Sequence, residues 1–116
     1  MEFINRKAGF EYYFEAKFNA GMVLSGTEVK SLRAGKVSFN DSYCQFHNGE
    51  LYVKSLHIAE YSMGTYTNHL PLQERKLLLT SKELKRLELK IKEKGYSIIP
   101  IRIFFNEKGL AKMEIG

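Results

Sequence analysis

The residues of this chain that are best suited to chemistry are three cations in the segment "GTEVKSLRAGK": Lys30, Arg33 and Lys36. Ammonium and guanidinium groups bind phosphates and carboxylates through charge-assisted hydrogen bonds. Two roles are open for the segment. It either connects two elements with its cations in solvent, or it holds something negatively charged.

Catalytic and metal-binding chemistry has little support in the sequence. His47, His57 and His69 have no ligand-like spacing to one another or to Cys44, so no metal site is predicted. There is no Walker loop and no G-x-G-x-x-G, and the acidic residues are dispersed rather than paired. We therefore expect a protein that is not an enzyme and that uses no cofactor.

Composition favours a globular protein with a polyanionic partner. Of the 116 residues 44% are hydrophobic, and 18 Lys and Arg against 13 Asp and Glu give a formal net charge of +5 and a pI near 9.3. Such a balance suits nucleic acid more often than an acidic membrane surface. No apolar run approaches the length of a membrane span, "MEFINRKAGF" has no signal-peptide core, and the single cysteine fits a reducing compartment. We expect a cytoplasmic protein that does not bind membranes.

The elements that position the three cations are predicted from local signals. Alternation of apolar and polar residues from Phe10 to Leu24 predicts a long half-buried strand. Ser25 and Glu28 then have the S-x-x-E spacing of a capping box, and Gly35 is a stop signal, so a short helix should follow the strand. These signals explain the caps of the segment and leave its cations without a structural role.

The pair Asn48-Gly49 predicts a β-hairpin with a two-residue type I′ turn, because both central positions of that turn need a positive φ. The turn fixes the register of the two flanking strands. It places two pairs on a core side and two on a wetter side: Phe46 with Leu51 and Cys44 with Val53, then Gln45 with Tyr52 and Tyr43 with Lys54.

The second half of the chain predicts a loop, a helix and another hairpin. Residues 59–76 have no sustained period and should form a long irregular loop, which in a compact domain tends to be functional. Thr80 and Glu83 form a second capping box, and Gly95 ends the helix. In the last hairpin Pro100 predicts an edge or a bulge. We expect residues 1–116 to form one domain that is mainly β, a small OB-type β-barrel with two to three helices.

Three tyrosines on the wetter faces of predicted strands, Tyr13, Tyr43 and Tyr52, could stack on unpaired bases. Ordinary cross-strand packing is the alternative for each ring. The cations of the long predicted helix have an alternative of their own, a solvated face with i,i+4 ion pairs. Two other functions stay open on these residues: a general single-strand-binding OB module, and a protein–protein adaptor whose positive surface meets an acidic partner.

Five segments in succession resemble the SsrA-binding protein family: "NRKAGFEYYFEAKFNAG", "GTEVKSLRAGKVSFNDSY", "NGELYVKSLHIAEY", "RKLLLTSKEL" and "EKGYSIIPIRIFF". The resemblance covers nearly the whole chain, and "GTEVKSLRAGK" with "RKLLL" is its most specific part. It implies an OB-like barrel that binds the tRNA-like part of transfer-messenger RNA in bacteria. It also implies delivery of that RNA, with elongation factor Tu and GTP, to the small-subunit rRNA of stalled ribosomes for trans-translation. We expect a monomer.

The resemblance also implies which residues face the RNA. Lys and Arg would bridge phosphates, while Asn, Ser and Glu would meet base edges or 2′-hydroxyls. The implied residues are Asn5, Arg6, Lys7, Glu28, Lys30, Ser31, Arg33, Asn68, His69, Arg75 and Lys76.

The chain departs from the family pattern at three places. Gly9 and Phe10 stand where the family usually has a basic residue and His, and Leu70 and Thr80 replace an Asp and a His around "RKLLL". The family continues past "KMEIG" into a strongly basic tail that acts in the decoding region, whereas this sequence ends at Gly116. We therefore expect a shortened form that binds the tRNA-like RNA and does not support full rescue by itself.

Overall fold

The computed structural model describes residues 2–11, 16–62 and 68–116, which contain nine strands and three helices. The strands are β1 (Glu2–Ile4), β2 (Phe18–Met22), β3 (Val37–Ser38), β4 (Tyr43–His47), β5 (Glu50–Lys54), β6 (His57–Ile58), β7 (Arg75–Leu78), β8 (Pro100–Phe105) and β9 (Ala111–Ile115). The helices are α1 (Arg6–Glu11), α2 (Gly26–Arg33) and α3 (Ser81–Lys94).

Seven antiparallel strands form one curved sheet in the order β1-β8-β9-β2-β7-β5-β4, and β3 pairs separately with β6. The edge strand β4 returns to the segment before β8, where Cys44 forms a bridge with Ile98 and donates its N–H to the Ile98 carbonyl at 2.9 Å. This bridge brings the two sides of the sheet together into a small barrel. The prediction of a mainly β, OB-type barrel with two to three helices is confirmed.

One hydrophobic core fills the barrel. Most inward residues of β5, β7, β8 and β9 are fully buried, and α2 and α3 each contribute a leucine, Leu32 and Leu87. Cys44 lies in the same core, as predicted, and burial raises the pKa of its thiol above the ordinary value. The described residues therefore share one packed interior, on which the surface elements are mounted.

The predicted hairpin is confirmed residue by residue. Asn48 and Gly49 both have positive φ, 52° and 77°, as a type I′ turn requires. The two strands pair in the predicted register, with Phe46 opposite Leu51 and Tyr43 opposite Lys54. A local turn signal was sufficient here because a two-residue loop leaves no freedom in the pairing.

Both predicted capping boxes are confirmed, Ser25 with Glu28 at α2 and Thr80 with Glu83 at α3. α3 ends at Gly95, whose φ of 67° is in the left-handed region that favours glycine. In the described part of the chain, no helix combines the length and the apolar character needed to cross a membrane.

The predicted strand from Phe10 to Leu24 is wrong at its beginning. Phe10 belongs to α1, residues 12–15 lie outside the described residues, and β2 covers only Phe18–Met22. A helix of six residues is too short to show a helical period. Its attachment is also non-local, since the backbone N–H of Asn5 bonds the carbonyl of Ile101 at 2.8 Å.

The segment 59–76 is less irregular than predicted. Residues 63–67 lie outside the described part, but β7 begins at Arg75 and pairs with both β2 and β5. The sequence hides this strand because a charged residue, Arg75, occupies an inward position that normally takes an apolar side chain. The irregularity predicted at Pro100 is confirmed as a register shift between Pro100 and Arg102.

Candidate nucleic-acid interface

A buried ion pair joins α2 to the barrel. The Nε of Arg75 donates to Oε2 of Glu28, and the two side chains are 1% and 2% exposed. The other carboxylate oxygen of Glu28 accepts the backbone N–H of Ser25 at 2.9 Å, which completes the capping box. Glu28 is therefore satisfied on both oxygens inside the protein, as a buried charge requires.

Arg75 also holds the segment that leads into β7. Its Nη1 donates to the carbonyl of Leu56 at 2.6 Å and its Nη2 to the carbonyl of Pro71 at 3.0 Å. One guanidinium thus connects α2, the segment before β6 and the turn at residues 70–72. The planar, five-donor geometry of arginine allows this, whereas lysine would supply a single point of contact.

His69 and Asn68 fix the same segment against α2. The ring of His69 is 5% exposed, with Nε2 at 2.8 Å from the carbonyl of Ile58 and Nδ1 at 2.9 Å from Oγ1 of Thr27. Because a carbonyl only accepts, Nε2 is the donor to Ile58, while the hydroxyl of Thr27 can donate to Nδ1 or accept from it. The side chain of Asn68 bonds both the N–H and the carbonyl of Tyr61, at 3.2 and 2.9 Å. The base of the loop is therefore pinned beside α2.

The outward side of α2 carries cations that are held in place. The Nζ of Lys30 lies 5.5 Å from the centre of the Tyr61 ring. The guanidinium of Arg33 lies 4.4 Å from the centre of the Phe105 ring, and its Nη2 donates to the carbonyl of Gly109 at 3.2 Å. Both cations and Lys36 beyond them are exposed, and none of the three pairs with a carboxylate of the described residues. We call Lys30, Arg33 and Lys36 the α2 surface.

The predicted residues at the start of the chain lie elsewhere. Asn5 is buried, and its Nδ2 donates to the carbonyl of Pro100 at 2.8 Å. Arg6 is exposed on α1, and Lys7 pairs with Asp41 at 3.0 Å. Asn5 bonds β8 near Ile101, whereas Arg33 stacks on a ring four residues further along that strand, roughly 13 Å at the usual rise of a strand. The predicted residues therefore form two groups rather than one patch.

Lys76 faces outward from β7, opposite Tyr52, and its Nζ lies 3.5 Å from Oε2 of Glu50. Tyr43 is exposed and Tyr52 is half-buried on the wetter side of the hairpin, as predicted, while Tyr13 lies outside the described residues. Sequence reasoning missed an apolar part of this outer face.

That apolar part centres on Leu78, which is 53% exposed. Its partner in the sheet is Gly21, where an added Cβ would lie 3.4 Å from the Cβ of Leu78. Val23, also exposed, comes directly after β2 and two residues after Gly21. The signal available in the sequence was the outward parity of Leu78 in the run "RKLLL", which becomes visible only once β7 is known to be a strand.

The described residues contain no cluster of three or more His, Cys, Asp or Glu that could hold a metal ion. What the geometry offers instead is an exposed cationic face on a small β-barrel, with two of its three cations, Lys30 and Arg33, held against aromatic rings. Fixed cations without carboxylate partners attract a polyanion and lose little conformational freedom on binding it. Fold and surface together define the class of small barrels that bind nucleic acid.

Comparison with known proteins agrees with that class and makes it specific. The family model described as "SmpB protein" matches residues 3–116. The SsrA-binding protein of Phocaeicola vulgatus is 54% identical over 112 residues, which are 97% of this chain and 75% of the relative. The SsrA-binding protein of Geobacter sulfurreducens is 51% identical over 112 residues, 97% of this chain and 72% of the relative.

A solved structure gives the same assignment. It is described as "tmRNA-SmpB: a journey to the center of the bacterial ribosome", and one of its chains matches with a TM-score of 0.81 and 48% identity, over 99% of this chain and 80% of that one. This chain belongs to the SmpB family of SsrA-binding proteins.

Proposed function

We propose that this chain binds transfer-messenger RNA through the tRNA-like domain of the RNA and takes part in ribosome rescue by trans-translation. Family membership supports this proposal, since relatives about half identical over nearly the whole chain are SsrA-binding proteins. The single observation that carries it physically is the α2 surface. The only carboxylate of α2 is buried and paired, so the helix presents nothing but positive charge to a partner.

The α2 surface would contact the RNA through phosphates. A folded tRNA-like RNA presents its backbone and 2′-hydroxyls more readily than its base edges, because the A-form major groove is deep and narrow. Arg33 is already oriented by Phe105 and Gly109, so its guanidinium loses little side-chain entropy when it bridges phosphate oxygens. Lys30 adds a second contact one helical turn away.

The buried members of the predicted set would act by positioning. Glu28, Ser31, His69 and Arg75 are all at most 5% exposed, so direct contact with RNA would require the interior to open. We assign to Glu28, His69 and Arg75 the role of holding α2 and the loop at residues 68–72 in one arrangement. The exposed members Arg6, Lys7, Lys30 and Arg33 and the half-buried Lys76 remain the candidates for contact.

The remaining partners follow from the same proposal. Delivery to the ribosome would occur together with elongation factor Tu and GTP, bound to the RNA rather than to this chain. The protein would act as a monomer in the cytoplasm of a bacterium.

Competition binding tests the proposal. The tRNA-like domain of transfer-messenger RNA, labelled at one end, is titrated with the protein and then displaced either by itself unlabelled or by an unstructured oligonucleotide of equal length. We expect the folded RNA to compete far better, because shape and spaced phosphates are recognised. Equal competition would favour a general single-strand-binding module instead.

A second arm addresses the protein–protein adaptor. Complexes purified from bacterial cells with the tagged chain are treated with ribonuclease before elution. If transfer-messenger RNA mediates the interactions, ribosomal proteins are lost after treatment. Retention of an acidic protein partner after complete digestion would support the adaptor and contradict the proposal.

A further inference from the structure

A cavity of about 550 Å³ lies between α1, the turn before β4, β4 itself and the segment that joins α3 to β8. This volume is within the roughly 300–1,000 Å³ of typical small-molecule sites. None of the three residues of the α2 surface lines the cavity. Asn5 and Lys7 do line it, so the cavity is next to the second group of predicted RNA-facing residues.

The wall of the cavity contains a polar group with nothing to bond. Ser42 is 5% exposed, and its hydroxyl has no hydrogen-bond partner among the described residues. The backbone N–H of Ser42 is satisfied, since it donates to the carbonyl of Phe39 at 2.8 Å. Buried hydroxyls are rarely left unpaired, because the bond to water that they lose on folding is not replaced. A bound group with a donor or acceptor would satisfy Ser42.

The other lining groups indicate an uncharged ligand. The charged side chains of the lining are Lys7 and Asp41, which neutralise each other at 3.0 Å. A phosphate or carboxylate inside the cavity would therefore find no net positive charge among the lining side chains. The lining also contains amide and hydroxyl side chains beside Phe46, Ile91 and Ile98, so the cavity has both polar and apolar walls.

Two exposed rings, Tyr43 and Tyr96, also line the cavity and provide flat surfaces on which a planar ligand can stack. A peptide that binds as an added β-strand is a less suitable ligand at this edge of the sheet. The N–H of Cys44, which a new strand would need, already donates to Ile98 at 2.9 Å.

We propose that this cavity receives one unpaired nucleobase of the RNA, with Ser42 bonding its polar edge and Tyr43 or Tyr96 stacking on its face. Arg6, between two lining residues in the sequence, would contact the phosphate of the same nucleotide. The inference rests on the proposed function, because the base belongs to the transfer-messenger RNA that this chain is proposed to bind. Asn5 is buried but lines the cavity, so it would contact the RNA inside the cavity and not at the protein surface.

Free nucleosides test the cavity without the rest of the RNA. Uridine, cytidine, adenosine and guanosine, with ribose as the control, are titrated at millimolar concentration into the 15N-labelled chain. At least one base should shift the amide signals of Ser42 and Ser97, and ribose should not. Ser42→Ala should weaken that binding about three- to tenfold, the loss of one hydrogen bond, without unfolding the protein.

A variant with a bulky side chain in the cavity tests whether the cavity contributes to RNA binding. Ser97 is exposed and lines the cavity, so Ser97→Trp should fill it and abolish nucleoside shifts, while Ser81→Trp, exposed at the start of α3, serves as the matched control. We expect Ser97→Trp to weaken binding of the tRNA-like RNA at least severalfold and Ser81→Trp to leave it unchanged.

Three outcomes would overturn the inference. They are the absence of nucleoside shifts at the lining residues, shifts there with an extended peptide but not with nucleosides, and RNA binding by Ser97→Trp equal to that of Ser81→Trp. In the last case the parent chain still binds the RNA, so the proposed function stands. If the parent chain does not bind the tRNA-like RNA at all, the proposed function itself fails.

Discussion

Helices α2 and α3 both begin with a capping box and both carry cations, yet their acidic residues have opposite surroundings. In α2 the only carboxylate, Glu28, is buried against Arg75. In α3 the glutamates lie among six lysines and arginines on surfaces that water reaches. The first helix therefore presents unopposed positive charge, and the second presents a mixed surface.

The difference shows that a count of lysines does not locate unopposed positive charge on the surface. An exposed helix with interleaved charges is stabilised by i,i+4 pairs and holds its own counter-charges. A helix whose carboxylate is removed into the interior keeps the capping bond and loses the repulsion that the carboxylate would exert on phosphates. The pair of Glu28 and Arg75 thus serves both the stability of the barrel and the charge of its surface.

The largest expected effect follows from breaking that pair. Arg75→Ala leaves the charge of Glu28 buried and unpaired, so the free energy of unfolding should fall by about 3–5 kcal/mol, measured by urea denaturation. In α3, Glu88→Ala should change it by no more than about 0.5 kcal/mol.

Replacing both partners separates the ion pair from simple packing. The double variant Glu28→Leu with Arg75→Met should lose less than Arg75→Ala alone, because no charge is then stranded. If Arg75→Ala costs no more than Glu88→Ala, the pair does not anchor α2.

The two capping boxes give an intermediate effect. Ser25→Ala and Thr80→Ala should each lower the free energy of unfolding by about 1 kcal/mol, since each removes one cap of a helix. Only Ser25→Ala should also weaken RNA binding, because of these two helices only α2 is proposed to contact phosphates. Filter binding with the tRNA-like RNA checks this, and equal losses of affinity in the two variants would remove the distinction between the helices.

The smallest effect on RNA binding is expected from Glu28→Gln. The amide keeps much of the capping geometry while the buried carboxylate is removed, so stability falls but the phosphate contacts of α2 persist. The dissociation constant for the RNA should change by less than about twofold when measured well below the unfolding transition. A large loss of affinity in a fully folded variant would show that the carboxylate itself meets the RNA.

Local signals were sufficient for part of this picture. Both capping boxes and the Asn48-Gly49 turn depend on residues at most three positions apart, and all three were predicted correctly. The cations of α2 could also be singled out from the sequence, because neither caps nor core contacts explained them.

Non-local contacts account for what the sequence could not give. The partner of Glu28 is 47 residues away, and β7, which carries that partner, does not resemble a strand because Arg75 points inward. The beginning of the predicted strand failed for a similar reason: Phe10 fits the alternation that follows it but belongs to α1, next to which Asn5 bonds the distant Ile101. The sequence pattern could therefore not show which of the predicted RNA-facing residues are buried. The family resemblance had selected those residues without regard to burial.

The salt dependence of RNA binding shows whether the α2 surface contacts phosphates of the RNA. Log affinity for the tRNA-like RNA is measured against log salt concentration for the parent chain, for Lys30→Ala with Arg33→Ala, and for Lys82→Ala with Lys85→Ala. Each lost phosphate contact lowers the slope by about 0.7–0.9, so the α2 variant should lose between about 1 and 2 and the α3 variant far less than 1. Equal slopes for the two variants, or an α2 variant that keeps the parent slope, would contradict the assignment of the RNA surface to α2.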